Sequence, residues 1–541
     1  MMLQRRTFLR SVGSAAAALG AGSAFPLRVF ADAGSTPESQ GVASHAVSSF
    51  LSATPNAGHE LHSFMMARHG RVIVEGWWAP YRPEAIHRFY SLSKSFTATA
   101  VGFAVAEGRF KVTDRVVQFF PDRLPRTVSE NLAALRVRDL LTMSVGRAQD
   151  SAPLITKEQD WVKTFLSLPV EHRPGSVFLY DSGATYMLSA IVQKACGEKL
   201  IDYLQSRLFA PLGMTGMEWS VCPRGINTGG WGLSATTQTL TTFGQFYLQE
   251  GRWNDRQLLP RQWIQEATTS HIQQPPAWLA PAGTDLAALK RTSDWHQGYG
   301  YQFWRCRHGA FRGDGAFGQF CVVLPKQQTV IAMTSRTSDM QGLLDTVWKH
   351  LLPGIHDGPL PESAVAASTL RRELASLALP LPSASARPTM HPERQTRRFV
   401  LEPNSLNARS VSFRFDANTC DFALETAEHR VVVRCGIGSW SDGVVDMPGS
   451  PPEITELVGV DTSPQRPSRI AAAGAWKNED TFEMQWRFYE TPHYDIVVAR
   501  FAGDRVEIEF NNSITQMMAA HLETRPILKG TLQPVGRTNS P

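Results

Sequence analysis

The sequence predicts an α+β unit over residues 34–355, followed by a small all-β domain over residues 397–541. Two observations carry this division. Helical apolar runs sit among short extended segments up to about residue 355. From Thr396 onward the apolar residues instead recur at alternate positions, as in Val506-Glu507-Ile508-Glu509-Phe510, the pattern of a half-buried antiparallel strand. Between the two, Pro353 to Gln395 is proline-rich with one expected helix at Glu362–Leu377, so residues 356–396 read as a linker or as an arm packed on the first unit. A chain of 541 residues has room for both, since single cores stop growing at about 250–300 residues.

Residues 1–33 stand apart from either fold. Gln4-Arg5-Arg6-Thr7-Phe8-Leu9-Arg10 resembles a twin-arginine export signal, an alanine- and glycine-rich run follows, and Ala31-Asp32-Ala33 offers a small-residue cleavage site. The run is too short and too rich in glycine to span a bilayer. A periplasmic or secreted location is therefore expected, with no transmembrane segment in the mature chain. Removing these residues takes away four arginines and one aspartate and lowers the net charge from +5 to +2. No basic cluster remains, which gives no reason to expect nucleic-acid binding.

Ser91-Leu92-Ser93-Lys94 opens a helical run that carries little charge until Glu107, with Gly108 as its stop. On a helix, residues three apart share a face, so the Ser91 hydroxyl and the Lys94 amine point the same way. A serine is a useful nucleophile only when a base removes its proton. Burial makes lysine such a base by disfavouring its charged form. The bland alternative is a capped surface helix, with Ser91 as N-cap and Lys94 in water. The apolar character of the run on most of its faces argues for burial.

Two further segments supply partners. Tyr180-Asp181-Ser182-Gly183 follows a short extended stretch and precedes a helix at Ala184–Ala195. It holds the one tyrosine of the chain with Ser or Asn two residues later. A phenol beside an ammonium relays a proton, and a short hydroxyl holds the lysine. Downstream, Arg312-Gly313-Asp314-Gly315-Ala316-Phe317-Gly318 leads into the apolar run Cys321–Leu324. Glycines that interrupt a strand admit a close neighbour, and a strand edge offers backbone amides to an oxyanion.

The order Ser-x-x-Lys, Tyr-x-Ser, glycine-bearing strand resembles the serine β-lactamase and penicillin-binding-protein superfamily, and within it the class C β-lactamase-like hydrolases, which include esterases and aminohexanoate-dimer hydrolases. Flanking text is similar as well: Phe89–Thr97, Val137–Met143, Leu208–Met214, Gly229–Ser234 and Gly298–Tyr301, so the likeness covers about residues 44–352. It implies an antiparallel sheet flanked by helices, with an all-α subdomain. Ser91 would be the acylated nucleophile, Lys94 its base and Tyr180 the second proton-transfer group. Ser182, Asp314, Gly315 and Ala316 would face the substrate or the oxyanion, whose donors are the amides of Ser91 and Ala316. Gly313-Asp314-Gly315 falls where true lactamases carry Lys-Thr-Gly, so the cation that helps hold a β-lactam carboxylate is missing. Arg312, one residue earlier on a strand, should face the other way.

The expected activity is thus that of an exported serine hydrolase acting through an acyl-enzyme on a small ester or amide, with no cofactor and no metal. The alternatives are a penicillin-binding-like sensor that does not turn over, a protein that binds peptidoglycan peptides, or a D-alanyl carboxypeptidase. Competing signatures are missing: the chain has no Gly-x-Ser-x-Gly, no His-Glu-x-x-His and no Cys-x-x-Cys. His69, His87 and His308 read as structural. Six cysteines are too few for a disulfide scaffold; Cys420 with Cys435 is the most plausible bridge, and buried free thiols are the alternative. The β-domain resembles lipocalin-like domains, and its Trp476, Trp486 and Tyr489 are expected to be core more often than pocket.

Overall fold

A computed structural model of the chain describes residues 35–274, 283–385, 396–453, 467–518 and 523–533. The segment 1–33, expected to be an export signal, lies outside the described residues. The first unit is built on an antiparallel sheet of β1 (Glu60–Arg68), β2 (Arg71–Trp77), β3 (Trp304–Arg305), β4 (Phe311–Gly315), β5 (Gln319–Leu324) and β6 (Thr329–Arg336), in the order β2-β1-β6-β5-β4-β3. Its first strand therefore pairs with its last, Met65 opposite Ala332. β1 and β2 are joined by His69-Gly70, both at positive φ, the two-residue turn whose twist matches a hairpin. β5 is buried on both faces, which explains its unbroken apolar text.

Helices cover both faces. α1 (Ser44–Asn56) packs on one side and α4 (Thr237–Leu248) on the other. At Gly244 of α4 a Cβ would stand 2.5 Å from Val330 and 2.8 Å from Cys321, so glycine there sets how closely helix and sheet approach. α2 (Ser93–Ala106) and α3 (Ser182–Cys196) lie against each other at the centre of the helical part. α2 is buried from Ser93 to Ala104 and Glu107 and Gly108 end it as the sequence predicts, Gly108 at φ +71. Asp181 caps α3 by accepting from the amides of Gly183 and Ala184. The proline-rich segment is an arm: its helix Ala364–Ala375 packs on α1 and β2, and Leu379 donates to the Ala79 carbonyl.

The C-terminal strands are β7 (Arg397–Leu401), β8 (Ala408–Phe415), β9 (Thr419–Thr426), β10 (Arg430–Ile437), β11 (Ser441–Val445), β12 (Ser468–Trp476), β13 (Thr481–Arg487), β14 (Tyr494–Ala502), β15 (Arg505–Asn512) and β16 (Leu528–Leu532). They run in the order β10-β9-β8-β7-β16-β15-β14-β13-β12-β11, and a short parallel contact, Gly436 to Ala473, joins β10 to β12 and closes a barrel. Aromatic rings fill it: Phe413, Phe415, Phe422, Trp476, Phe482, Trp486 and Phe501 meet one another at centroid distances of 5.1–6.3 Å. Trp476 and Trp486 are thus core, and Tyr489 packs in the seam between the two units. Cys420 and Cys435 stand directly opposite each other on β9 and β10 as buried free thiols.

The seam is extensive and partly ionic. Arg487 of the barrel makes a two-pronged contact with Glu60 of β1, at 2.9 and 3.1 Å. Arg336 and His62 also reach that carboxylate. Arg82 pairs with Asp442, and the Tyr81 hydroxyl donates to the Thr491 carbonyl. The segment Phe488–Tyr494 and the helix Ser513–Met518 bring the barrel up to the turn that carries Ser91.

Candidate active site

Ser91 lies in a tight 3₁₀ turn, Tyr90–Leu92, that feeds α2. Lys94, three residues on, is 1% exposed, which rules out a solvated first turn. Its Nζ donates to Ser91 Oγ at 3.0 Å, to Ser182 Oγ at 3.1 Å and to the Gly230 carbonyl at 2.7 Å. Two hydroxyls and a carbonyl satisfy an amine without neutralising it, and no carboxylate touches it. Burial accordingly pulls the Lys94 ammonium down to about 8, against the more distant pull of Asp150, Asp314 and Asp181.

Burial, with Asp314 nearby, pushes the pKa of the Tyr180 hydroxyl well above that of a free phenol. The side chain therefore remains a neutral O–H, a donor and relay rather than a phenolate. Its ring sits 4.7 Å from Lys94 Nζ and stacks on Trp304 at 5.6 Å. Ser91, Lys94 and Ser182, from two separated parts of the chain, form one hydrogen-bonded cluster, with the Tyr180 ring set against its amine.

A pair of carboxylates supports this cluster from behind. Asp150 Oδ1 accepts from the backbone amides of Ser182 and Ala152, and Asp181 Oδ1 accepts from Ser151 and the first turn of α3. Burial and the neighbouring Asp181 push the Asp150 carboxyl up to about 7. Asp150, Gly230 and Trp304 escaped the sequence reading, because no local pattern announces a residue that acts through the fold; only the Gly229-Gly230 pair left a trace.

Strand β4 divides its residues between two faces. A Cβ on Gly313 would lie 2.7 Å from Ser95 Oγ, and one on Gly315 would lie 2.0 Å from the Phe89 carbonyl. Both glycines thus let the strand press against the nucleophile turn, and Gly315 serves by close approach. Arg312 and Asp314 share the opposite face, as alternation requires. They form a buried ion pair at 2.9 Å, with the guanidinium 4.2 Å from the Trp295 ring. Asp314 is committed to Arg312 and Trp304 and acts on Lys94 and Tyr180 through its field. Ala316, half-buried, follows at the strand end. Among the described residues neither its amide nor that of Ser91 donates to a protein acceptor. Two free N–H groups beside an activated hydroxyl suit an oxyanion.

Among the described residues no group of three or more His, Cys, Asp or Glu is arranged to hold a metal, and no helix is long and apolar enough to cross a membrane. Residues 59–350 match the family model described as Beta-lactamase. A 6-aminohexanoate-dimer hydrolase of Paenarthrobacter ureafaciens is 24% identical over 51% of this chain and 73% of its own length. Esterase EstB of Burkholderia gladioli is 25% identical, over 28% of this chain and 44% of its own length, so less than half of that relative is spanned. Of solved structures, a penicillin-binding protein homolog from Caulobacter crescentus covers 59% of this chain and 99% of its own, at 16% identity and a TM-score of 0.47.

Proposed function

Because the chain belongs to the beta-lactamase family, we propose that it is an exported serine hydrolase that forms an acyl-enzyme at Ser91 from a small ester or amide. The observation that carries this reading is the buried Lys94 amine, in contact with Ser91 and with no carboxylate. In the first half-reaction Ser91 Oγ bonds to the substrate carbonyl carbon and its proton passes to neutral Lys94. The oxyanion is held by the amides of Ser91 and Ala316. As the intermediate collapses, Tyr180 gives its proton to the leaving alcohol or amine and regains one from the Lys94 ammonium. Water then attacks the acyl-enzyme, loses a proton to the same pair, and Ser91 is released.

Esters and simple amides fit better than β-lactams, because glycine stands at position 313 and the neighbouring Arg312 is locked to Asp314. The esterase and dimer-hydrolase names among the relatives point the same way. Export rests on the Arg5-Arg6 segment, and fusing residues 1–33 to a reporter tests it by the reporter's appearance in the periplasm.

The deciding experiment labels the purified chain with a fluorophosphonate and assays short-chain esters, D-alanyl peptides and a chromogenic cephalosporin in parallel. Label at Ser91 and steady ester turnover, both abolished by Ser91→Ala, are expected. Label on another residue, or full activity in Ser91→Ala, would overturn the assignment. A burst with no steady phase would convert it to a sensor.

A further inference from the structure

Both amides offered to the oxyanion adjoin a residue in the left-handed region of backbone space. Tyr90, immediately before Ser91, has φ +50, and Phe317, immediately after Ala316, has φ +67. Bulky side chains rarely adopt that conformation, and it persists only where surrounding contacts impose it. Groups of the first unit hold both backbones, Ser93 Oγ donating to the Tyr90 carbonyl and the Thr337 amide and Ser335 Oγ to that of Phe317, and the C-terminal barrel adds contacts to both side chains. The Tyr90 hydroxyl is 2.5 Å from His493 Nε2. The two rings of Tyr90 and Phe317 pack edge-on at 5.4 Å, and Phe317 meets the His493 ring edge-on at 4.9 Å. Ile514 and Met517 of the barrel's helix close the same small cluster, which includes Ala316.

His493 is itself fixed. Its ring is 1% exposed, its Nδ1 lies 3.2 Å from Ser513 Oγ, and its amide donates to Thr491 Oγ1. With Tyr90 as donor, Nε2 carries the lone pair and Nδ1 the proton, which goes to Ser513. The chain Ser513–His493–Tyr90 thus runs from the barrel to the residue beside the nucleophile.

We propose that His493 is a positioning residue of the acylation site, through which the C-terminal barrel sets the spacing between the Ser91 and Ala316 amides. The inference rests on the acyl-enzyme reading above. A misplacement of about 1 Å at a reacting centre costs on the order of a hundredfold, and His493 touches the side chains next to both amides.

The test uses full-length His493→Ala, Tyr90→Phe, His493→Gln and the double variant Tyr90→Phe/His493→Ala. Ester kcat and KM, the rate of fluorophosphonate labelling of Ser91, and thermal unfolding are measured for each. Tyr90→Phe keeps the ring and its packing, so it answers the question even where His493→Ala fails to fold. The expected result is a roughly 10- to 100-fold fall in kcat and in labelling rate for Tyr90→Phe and His493→Ala, with KM within about threefold of wild type. The double variant should be no slower than the worse single one. His493→Gln, which restores an acceptor, should recover most of the rate. Full kcat in a folded Tyr90→Phe, losses that multiply in the double variant, or a change confined to KM would overturn the proposal and leave Ser91 acylation standing. A wild-type chain that neither turns over esters nor takes the label would remove both.

Discussion

Lys94 and Arg487 are two cations withdrawn from water to the same degree, 1% and 2% exposed, and they come to opposite ends. Arg487 meets a carboxylate edge to edge, so Glu60 keeps it charged and its pKa above the usual value in spite of burial. Burial alone would raise Glu60, yet Arg487 holds it well below the usual carboxylate range. Lys94 meets two hydroxyls, a carbonyl and the Tyr180 ring, with no carboxylate in contact among the described residues, and is pulled down to about 8. The desolvation penalty is shared, and the partner decides the outcome. An ion pair turns a buried cation into a fastening between two units, whereas its absence leaves an amine able to take a proton.

Four experiments bear on that contrast. Lys94→Met removes the base, and kcat/KM for an activated ester should fall by roughly 10²–10⁴-fold; a loss below about tenfold would assign proton abstraction elsewhere. Arg487→Met leaves the half-buried Glu60 with Arg336 and His62 as its remaining partners and should destabilise the chain by about 1–3 kcal/mol in denaturant unfolding. The companion Glu60→Gln/Arg487→Met should recover part of that loss, and a single variant as stable as wild type would deny Arg487 its fastening role. The pH profile follows from the direction of the Lys94 shift. The amine works unprotonated, so kcat/KM should rise with pH through a midpoint near 8 and gain about tenfold between pH 7 and 9. A flat profile there would contradict a lysine base. The smallest effect belongs to Asp150→Asn. The Asp150 charge favours the ammonium, so its removal should move the midpoint to lower pH, and a move to higher pH would reverse the sign assigned to it.

Spacing paired Ser91 with Lys94 and Tyr180 with Ser182, each pair within one turn of chain, and the family resemblance joined the two pairs into one candidate cluster. The alternation of β15, with Val506, Ile508 and Phe510 inward, was equally visible. β12 was not. Its Ile470-Ala471-Ala472-Ala473 core reads as helix by composition. It is a strand because Ala472 faces the barrel interior while Ala471 packs into the seam, and small residues fit where both faces are covered. β7, β11 and β16 are five-residue strands whose apolar positions are too few to announce a period. His493 and Asp150 owe their places to contacts formed with residues 403 and 32 positions away, which no window on the sequence spans.

Glu60 is made early and Arg487 late, 427 residues apart. At about 5–20 residues per second, a ribosome needs roughly 20–90 s to travel from one to the other. Throughout that interval the Glu60 carboxylate has only Arg336 and His62, from its own unit, to meet it. Maturation of the front of the molecule therefore waits on the emergence of its back, and a transcript that ends early yields a nascent product that is poorly sealed and open to proteases.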